Sequence, residues 1–474
     1  MRFDTIIHAG ILFLLVYLPL AFGGVTEYAI VTLETVSGLL LLTWLFKVFV
    51  WRHKLPRGMM PSPWRSPCYL ALIRVPGFSF LAAFLLFVAF QLMPMPADWA
   101  HRISPHSYAL YRDAAATIGH ALPTYLPLSV NVHATEIEFF KYLAYGIIFF
   151  LLIQTISTPR QIQRFHTVLI GMGFLEAALG IISFMTDDAL FLEYTLSGSF
   201  INKNHFAGYL ELSSLIGLGI LFTRFERPQS RPVFPTLKDV IEPYAKAGLW
   251  LIVLFVMICA LLLSQSRGGQ ISFLCSVVIF MLLARSRRVL RSWTWLLLIF
   301  LIAVLALTLF LTPFLVLKGL QRFEEDTLTS SFHVRQEIWK ISRHIFRDFP
   351  LLGSGLGTFG SLTRRYQHFR DTKVYIYTES DMLRVLAETG LIGSALLLAA
   401  GGVYLYRVVR LWRQRQSRRA VALVAGGLGA MCSLLIHGFV DFNLHIPANA
   451  LTFTVIAALT YVTAFTRDRR SHNA

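Results

Sequence analysis

Charge is scarce in this sequence. Asp, Glu, Lys and Arg make up 15% of its 474 residues, while 55% are hydrophobic. A soluble chain of this length would expose too much apolar surface, so the class is integral membrane protein. Acidic residues are scarcer still, 26 against 43 Lys and Arg, for a formal net charge of +17. A nucleic-acid partner would need a soluble basic face, and none is present. Cysteine is limited to Cys68, Cys259, Cys275 and Cys432. These lie in or beside apolar runs without ligand spacing, and read as buried thiols rather than a disulfide framework or metal site. Neither Walker A nor Rossmann spacing occurs. No internal repeat or low-complexity segment is visible.

What the sequence does have is apolar runs of membrane-spanning length, roughly 17–25 residues each. They fall near 6–23, 28–50, 77–93, 137–155, 165–184, 206–223, 248–264, 270–284, 294–316, 383–406, 420–440 and 447–465. Backbone groups in lipid need internal partners, so all are expected to be helices. The expected fold is all-α and polytopic, with about twelve transmembrane helices. Every second short loop is basic, which puts these loops and both termini in the cytoplasm. The first run lacks a small-residue cleavage site and reads as a retained span.

The chain then divides into residues 1–164, four spans with an outer loop at 94–136; 165–316, spans five to nine; 317–382, a large outer loop with short helices; and 383–474, the last three spans and a cytoplasmic tail. The segment "ADWAHRISPHSYALYRDAAATIGH" of the first outer loop reads as a short amphipathic helix at the interface.

Polar residues gather at the outward ends of the spans. "SGSFINKNHFAGYLEL" (197–212) sets Asn202, Lys203, Asn204 and His205 ahead of a span, with Glu211 on the helical face of Asn204. "LLLSQSRGGQIS" (261–272) puts Arg267 in a tight turn. "SSFHVRQEIWKISRHIFRDFPLLGSGLGTFGS" (330–361) has Arg335 and Trp339 on one helical face, then Pro350 and glycines that stop the helix. That glycine turn either cradles phosphate through backbone N–H groups or simply joins helices. "YTESDMLRVLAETGLIGSALLL" (377–398) carries Glu379 just before a span, with Asp381, Arg384 and Glu388 on one face. "IHGFVDFNLHIPANALTF" (436–453) adds His437, Asp441, Asn443 and His445. Lys203, Arg267, Arg335, Glu379, Asp381 and Asp441 together imply a cationic outer site with a few carboxylates. A lipid-carried diphosphate suits it, because arginine forks match phosphate oxygens and fixed cations stabilise a leaving pyrophosphate. Glu176, alone in mid-span, is the feature that favours a different class, a transporter or flippase of a lipid-linked or anionic substrate.

"GSFINKNHFAGYLEL", "SQSRGG", "RQEIWKISRHIFRDFPLLGSGLGTF" and "TESDMLRVLAETGLIG", in this order, resemble the bacterial O-antigen ligase/polymerase family. The resemblance implies an inner-membrane glycosyltransferase with a large periplasmic loop. It moves a glycan from undecaprenyl diphosphate to a glycan, lipid A core or protein acceptor, without nucleotide sugar, metal or other cofactor. It further implies that Arg267 and Arg335 bind diphosphate. The family commonly has His-Asn at the end of the loop, the His a proposed base, where this chain has Glu379-Ser380. The resulting expectation is an inverting transfer. Glu379 is the base and Asp381 the reserve candidate. Arg267, Arg335 and Lys203 bind diphosphate. Asn202, Asn204, His205 and Asp441 orient the donor or support the loop.

Overall fold

The computed structural model describes residues 2–54, 75, 77–186, 196–224, 237–287, 327–367 and 375–465. The helices are α1 (Arg2–Leu20), α2 (Glu27–Lys54), α3 (Phe78–Leu92), α4 (Ala97–Ile103), α5 (Pro105–Thr117), α6 (Val132–Thr155), α7 (Pro159–Thr186), α8 (Lys203–Arg224), α9 (Leu237–Leu263), α10 (Arg267–Ser286), α11 (Thr327–Asp348), α12 (Phe359–Tyr366), α13 (Asp381–Arg413), α14 (Arg418–His437) and α15 (Pro447–Phe465). The fold is all-α and polytopic. Among the described residues, eight helices are long and apolar enough to cross a membrane: α1, α2, α7, α8, α10, α13, α14 and α15. Two shorter apolar helices, Phe78–Leu92 and Gly248–Leu263, match further runs of the sequence. The run at 137–155 lies in α6, whose Glu138 and Lys141 are buried as an ion pair at 2.5 Å. The run at 294–316, and much of the basic-loop sequence, lie outside the described residues.

The innermost helix is α8, with α14 and α15 nearly as deep. Their close approach is made by small residues. A Cβ on Gly219 of α8 would sit 3.0 Å from the Ala422 carbonyl and 3.2 Å from the Gly426 Cα of α14. Helices in lipid associate through such packing, because lipid tails are as apolar as leucine.

The first outer segment holds two helices, α4 and α5, where the sequence suggested one. Ser104 ends α4 and Pro105 begins α5, as a proline at a first helical position does. Two short antiparallel strands, β1 (Met95–Pro96) and β2 (Tyr125–Leu126), close this segment at its base.

In the second outer segment α11 is amphipathic. Ile338, Ile341 and Ile345 point into a small core with Phe349, Phe359, Leu362 and Ala387, while Lys340, Arg343 and Arg347 are exposed. The glycine turn that follows docks into a break in α13. Gly390 has φ +61°, and the interrupted helix exchanges backbone bonds with the turn: Leu391 N–H to Pro350 O (2.9 Å), Ile392 N–H to Leu351 O (3.1 Å) and Gly355 N–H to Glu388 O (3.0 Å). Gly353, at φ +71°, would place a Cβ 2.2 Å from the Glu388 carbonyl.

One expectation needs correction. Cys259 is buried and Cys432 half-buried, but Cys275 is exposed on α10. It occupies the outer side of a helix whose inner side is Ser272, Phe273, Ser276 and Val277. Being apolar by sequence context does not fix which side of a helix faces lipid. Cys68 lies outside the described residues.

Candidate functional site

The turn from 438 to 446, between α14 and α15, organises the polar cluster. Asp441 is 1% exposed. Its Oδ2 accepts from Asn204 Nδ2 at 2.7 Å and lies 3.5 Å from an Arg335 terminal nitrogen, and its Oδ1 lies 3.3 Å from His205 Nε2. Burial alone would push this carboxyl up. The His205 contact, with the charges of His437 and Arg335, overcomes burial and holds it at about 2. Asp441 is therefore the anion that ties α8, α11 and the turn together.

Arg335 also reaches Glu379, with Nε 3.3 Å from Oε2. Glu379 has φ +52°, a left-handed conformation that is uncommon outside glycine and concentrates at functional sites. The Trp339 indole N–H donates to the Glu379 carbonyl at 3.3 Å. Burial raises the Glu379 carboxyl above the ordinary range, the nearby Asp441 charge adds to this, and Arg335 opposes both.

Asn202 caps α8, its Oδ1 accepting from Asn204 N at 2.8 Å. Lys203 is the first residue of α8 and Arg267 the first of α10, the latter capped by Ser266. Gly268 lets the start of α10 approach His437 and Val440, which brings Arg267 beside the same turn. Lys203 feels the positive charges of both Arg267 and Arg335. Among the described residues, neither Lys203 nor Arg267 has a carboxylate partner. Three cations from separate parts of the chain thus lie within reach of one another's charge, Lys203 and Arg267 at the positive ends of two helices and Arg335 paired with Glu379. Among the described residues, no three His, Cys, Asp or Glu side chains converge as metal ligands would.

Asp381 sits differently. It is 4% exposed; its Oδ2 accepts from Leu444 N at 2.9 Å, and its N–H donates to the Gly438 and Asp441 carbonyls at 2.9 and 3.0 Å. It fastens α13 to the turn. The remaining residues of the 436–453 stretch part company. His437 Nδ1 lies 2.8 Å from Glu211 Oε1, while Ser272 and Ser433 donate to Glu211 Oε2 at 2.9 and 2.6 Å. Asn443 accepts from Asn449 at 2.9 Å. His445 contacts Arg384, on the far side of the stacked Tyr377 and Phe442 rings. Its burial, then the Arg384 charge, hold it well below the usual imidazole range.

Arg384 belongs to a second buried network, with Glu138 at 2.9 Å and Glu388 at 3.1 Å. Glu388 accepts from the N–H groups of Gly357 (2.8 Å) and Phe359 (3.1 Å), and Gln91 Oε1 from that of Leu356 (3.2 Å). The backbone donors of the glycine turn are therefore engaged by the protein itself, and its glycines serve docking rather than phosphate binding. Sequence reasoning missed Glu138, Lys141 and Gln91. The signal was present, as an acid–base pair three residues apart inside an apolar run.

Residues 252–398 match the family model described as O-antigen ligase. That segment is similar to the O-antigen ligase family. The matched segment includes Arg267, Arg335, Glu379, Asp381 and the break in α13; Lys203, His205 and Asp441 come to the site from outside it. The match, with the membrane-spanning helices, supports a membrane glycan transferase of the O-antigen ligase and polymerase type in general. No curated protein matches the chain.

Proposed function

We propose that the chain transfers a glycan from a polyprenyl diphosphate carrier, undecaprenyl diphosphate in an inner membrane, to an acceptor hydroxyl at the outer, periplasmic face. The observation that carries this reading is the grouping of Lys203 with Arg267 and Arg335, the last of which pairs with Glu379. Two of these cations have no carboxylate of their own among the described residues, so their charge is available to a diphosphate. Glu379, ionised, takes the proton of the acceptor hydroxyl. The acceptor oxygen attacks the anomeric carbon, the bond to the diphosphate breaks, and the configuration inverts. The arginines take up the charge that develops on the leaving diphosphate. Asp441 orients Arg335, His205 and Asn204. Asp381 acts as a positioning residue for the turn, which leaves Glu379 as the base.

Glu176, the feature that favoured transport, has a local account. Its Oε2 accepts from Ser199 N at 2.9 Å and its Oε1 from Ser199 Oγ at 2.7 Å, which anchors the segment entering α8. The test is formation of glycan-linked product by Arg267→Ala, Arg335→Ala and Glu379→Gln in purified protein of matched expression. Each should lose at least about 100-fold in turnover, as loss of a charge stabiliser or base does. Full activity in all three would remove the site from consideration, and substrate movement without glycan joining would favour a transporter.

A further inference from the structure

A groove of about 480 Å³ lies between α11 and the start of α13, lined by Gln336, Trp339, Lys340, Arg343 and Leu383. The transfer chemistry set out above does not use it. Trp339 is shared between the groove and the Glu379 backbone contact, so the groove borders the residue proposed as base. Its lining is specific in kind. An indole offers a flat apolar face for sugar C–H groups with a polar edge. The Gln336 amide can donate to and accept from hydroxyls. Lys340 is exposed and pairs with Glu337 at 2.5 Å, so its charge is partly balanced. Arg343 is exposed, and among the described residues it has no carboxylate partner. The groove therefore carries an unbalanced positive charge at the mouth of an aromatic wall.

We propose that this groove is the acceptor subsite and that it takes a saccharide bearing a carboxylate or phosphate group. The assignment rests on the transfer reading, with the donor diphosphate held by Lys203, Arg267 and Arg335 and the acceptor approaching Glu379 past Trp339. An anionic acceptor is drawn to Arg343 and Lys340 while its hydroxyl is presented to Glu379. A phospholipid headgroup would supply the phosphate but would make no use of the Gln336 amide or the indole face.

The experiment is calorimetric binding to the full chain in phosphatidylcholine nanodiscs. The probes are a galacturonate trisaccharide, a mannose trisaccharide carrying 6-phosphate, and neutral maltotriose. At least one anionic probe should bind, and maltotriose about tenfold more weakly or not at all. Which anionic probe binds distinguishes carboxylate from phosphate. The double variant Lys340→Gln/Arg343→Gln replaces exposed side chains, and an unchanged size-exclusion profile confirms its fold. It should bind about tenfold more weakly. A wrong base assignment would leave this binding result intact, so the two readings fail separately. Failure of both anionic probes, or unchanged binding by the double variant, would overturn the proposal. Preferential retention of phosphatidylglycerol by the unaltered chain would then assign the groove to lipid.

Discussion

If Glu379 is the base, its two charged neighbours must move the pH dependence of turnover in opposite directions. The rate rises with pH as Glu379 ionises. Arg335 favours the ionised form, so Arg335→Gln moves the acid limb to higher pH. Asp441 disfavours it, so Asp441→Asn moves the limb to lower pH. The size follows from the geometry. Unit charges 3.3 Å apart attract by about 1.3 kcal/mol at the dielectric constant of water and about 5 kcal/mol at an effective value of 20. At about 1.36 kcal/mol per pH unit this spans roughly 1 to 4 units. Both side chains are about a quarter exposed, 27% and 26%, so water screens the pair and the lower end, about 1 unit, is expected. The assay is kcat against pH with donor and acceptor saturating, so that the limb reports the bound complex. Arg335→Gln will also lower the plateau through weaker stabilisation of the departing diphosphate, and the position of the limb is the quantity to read. Shifts in the same direction, or an acid limb that persists in Glu379→Gln, would refute the reasoning.

Two further outcomes concern the scaffold. Glu211→Leu should destabilise the protein by about 3–5 kcal/mol by leaving His437 without its carboxylate, and Glu211→Leu/His437→Leu should recover much of that loss in detergent unfolding. Gly353→Ala forces a side chain into φ +71° against the Glu388 carbonyl; it should undock the glycine turn, and limited proteolysis between α11 and α12 should then run faster than in the unaltered chain.

The apolar runs carried the architecture on their own. With no water in the bilayer core, a run of that length has only the helix available, and every run that falls among the described residues is one. The pairing of Arg335 and Trp339 on one helical face was equally legible, since 3.6-residue periodicity fixes it before any tertiary contact, and both side chains do meet Glu379. The membership of the cluster was not. His437, Asp441, Asn443 and His445 lie within nine residues of each other in sequence, yet serve four different sets of partners. A turn of irregular backbone has no period from which to read direction. The two roles left open for the glycine turn were separable only once its N–H groups had acceptors, and those come from α13 and from Gln91 of α3. The glycines, the span-end arginines and the left-over acids are properties of the chain. Which acid holds an arginine and which faces a substrate is decided by burial and by what packs opposite, and both belong to the folded molecule alone.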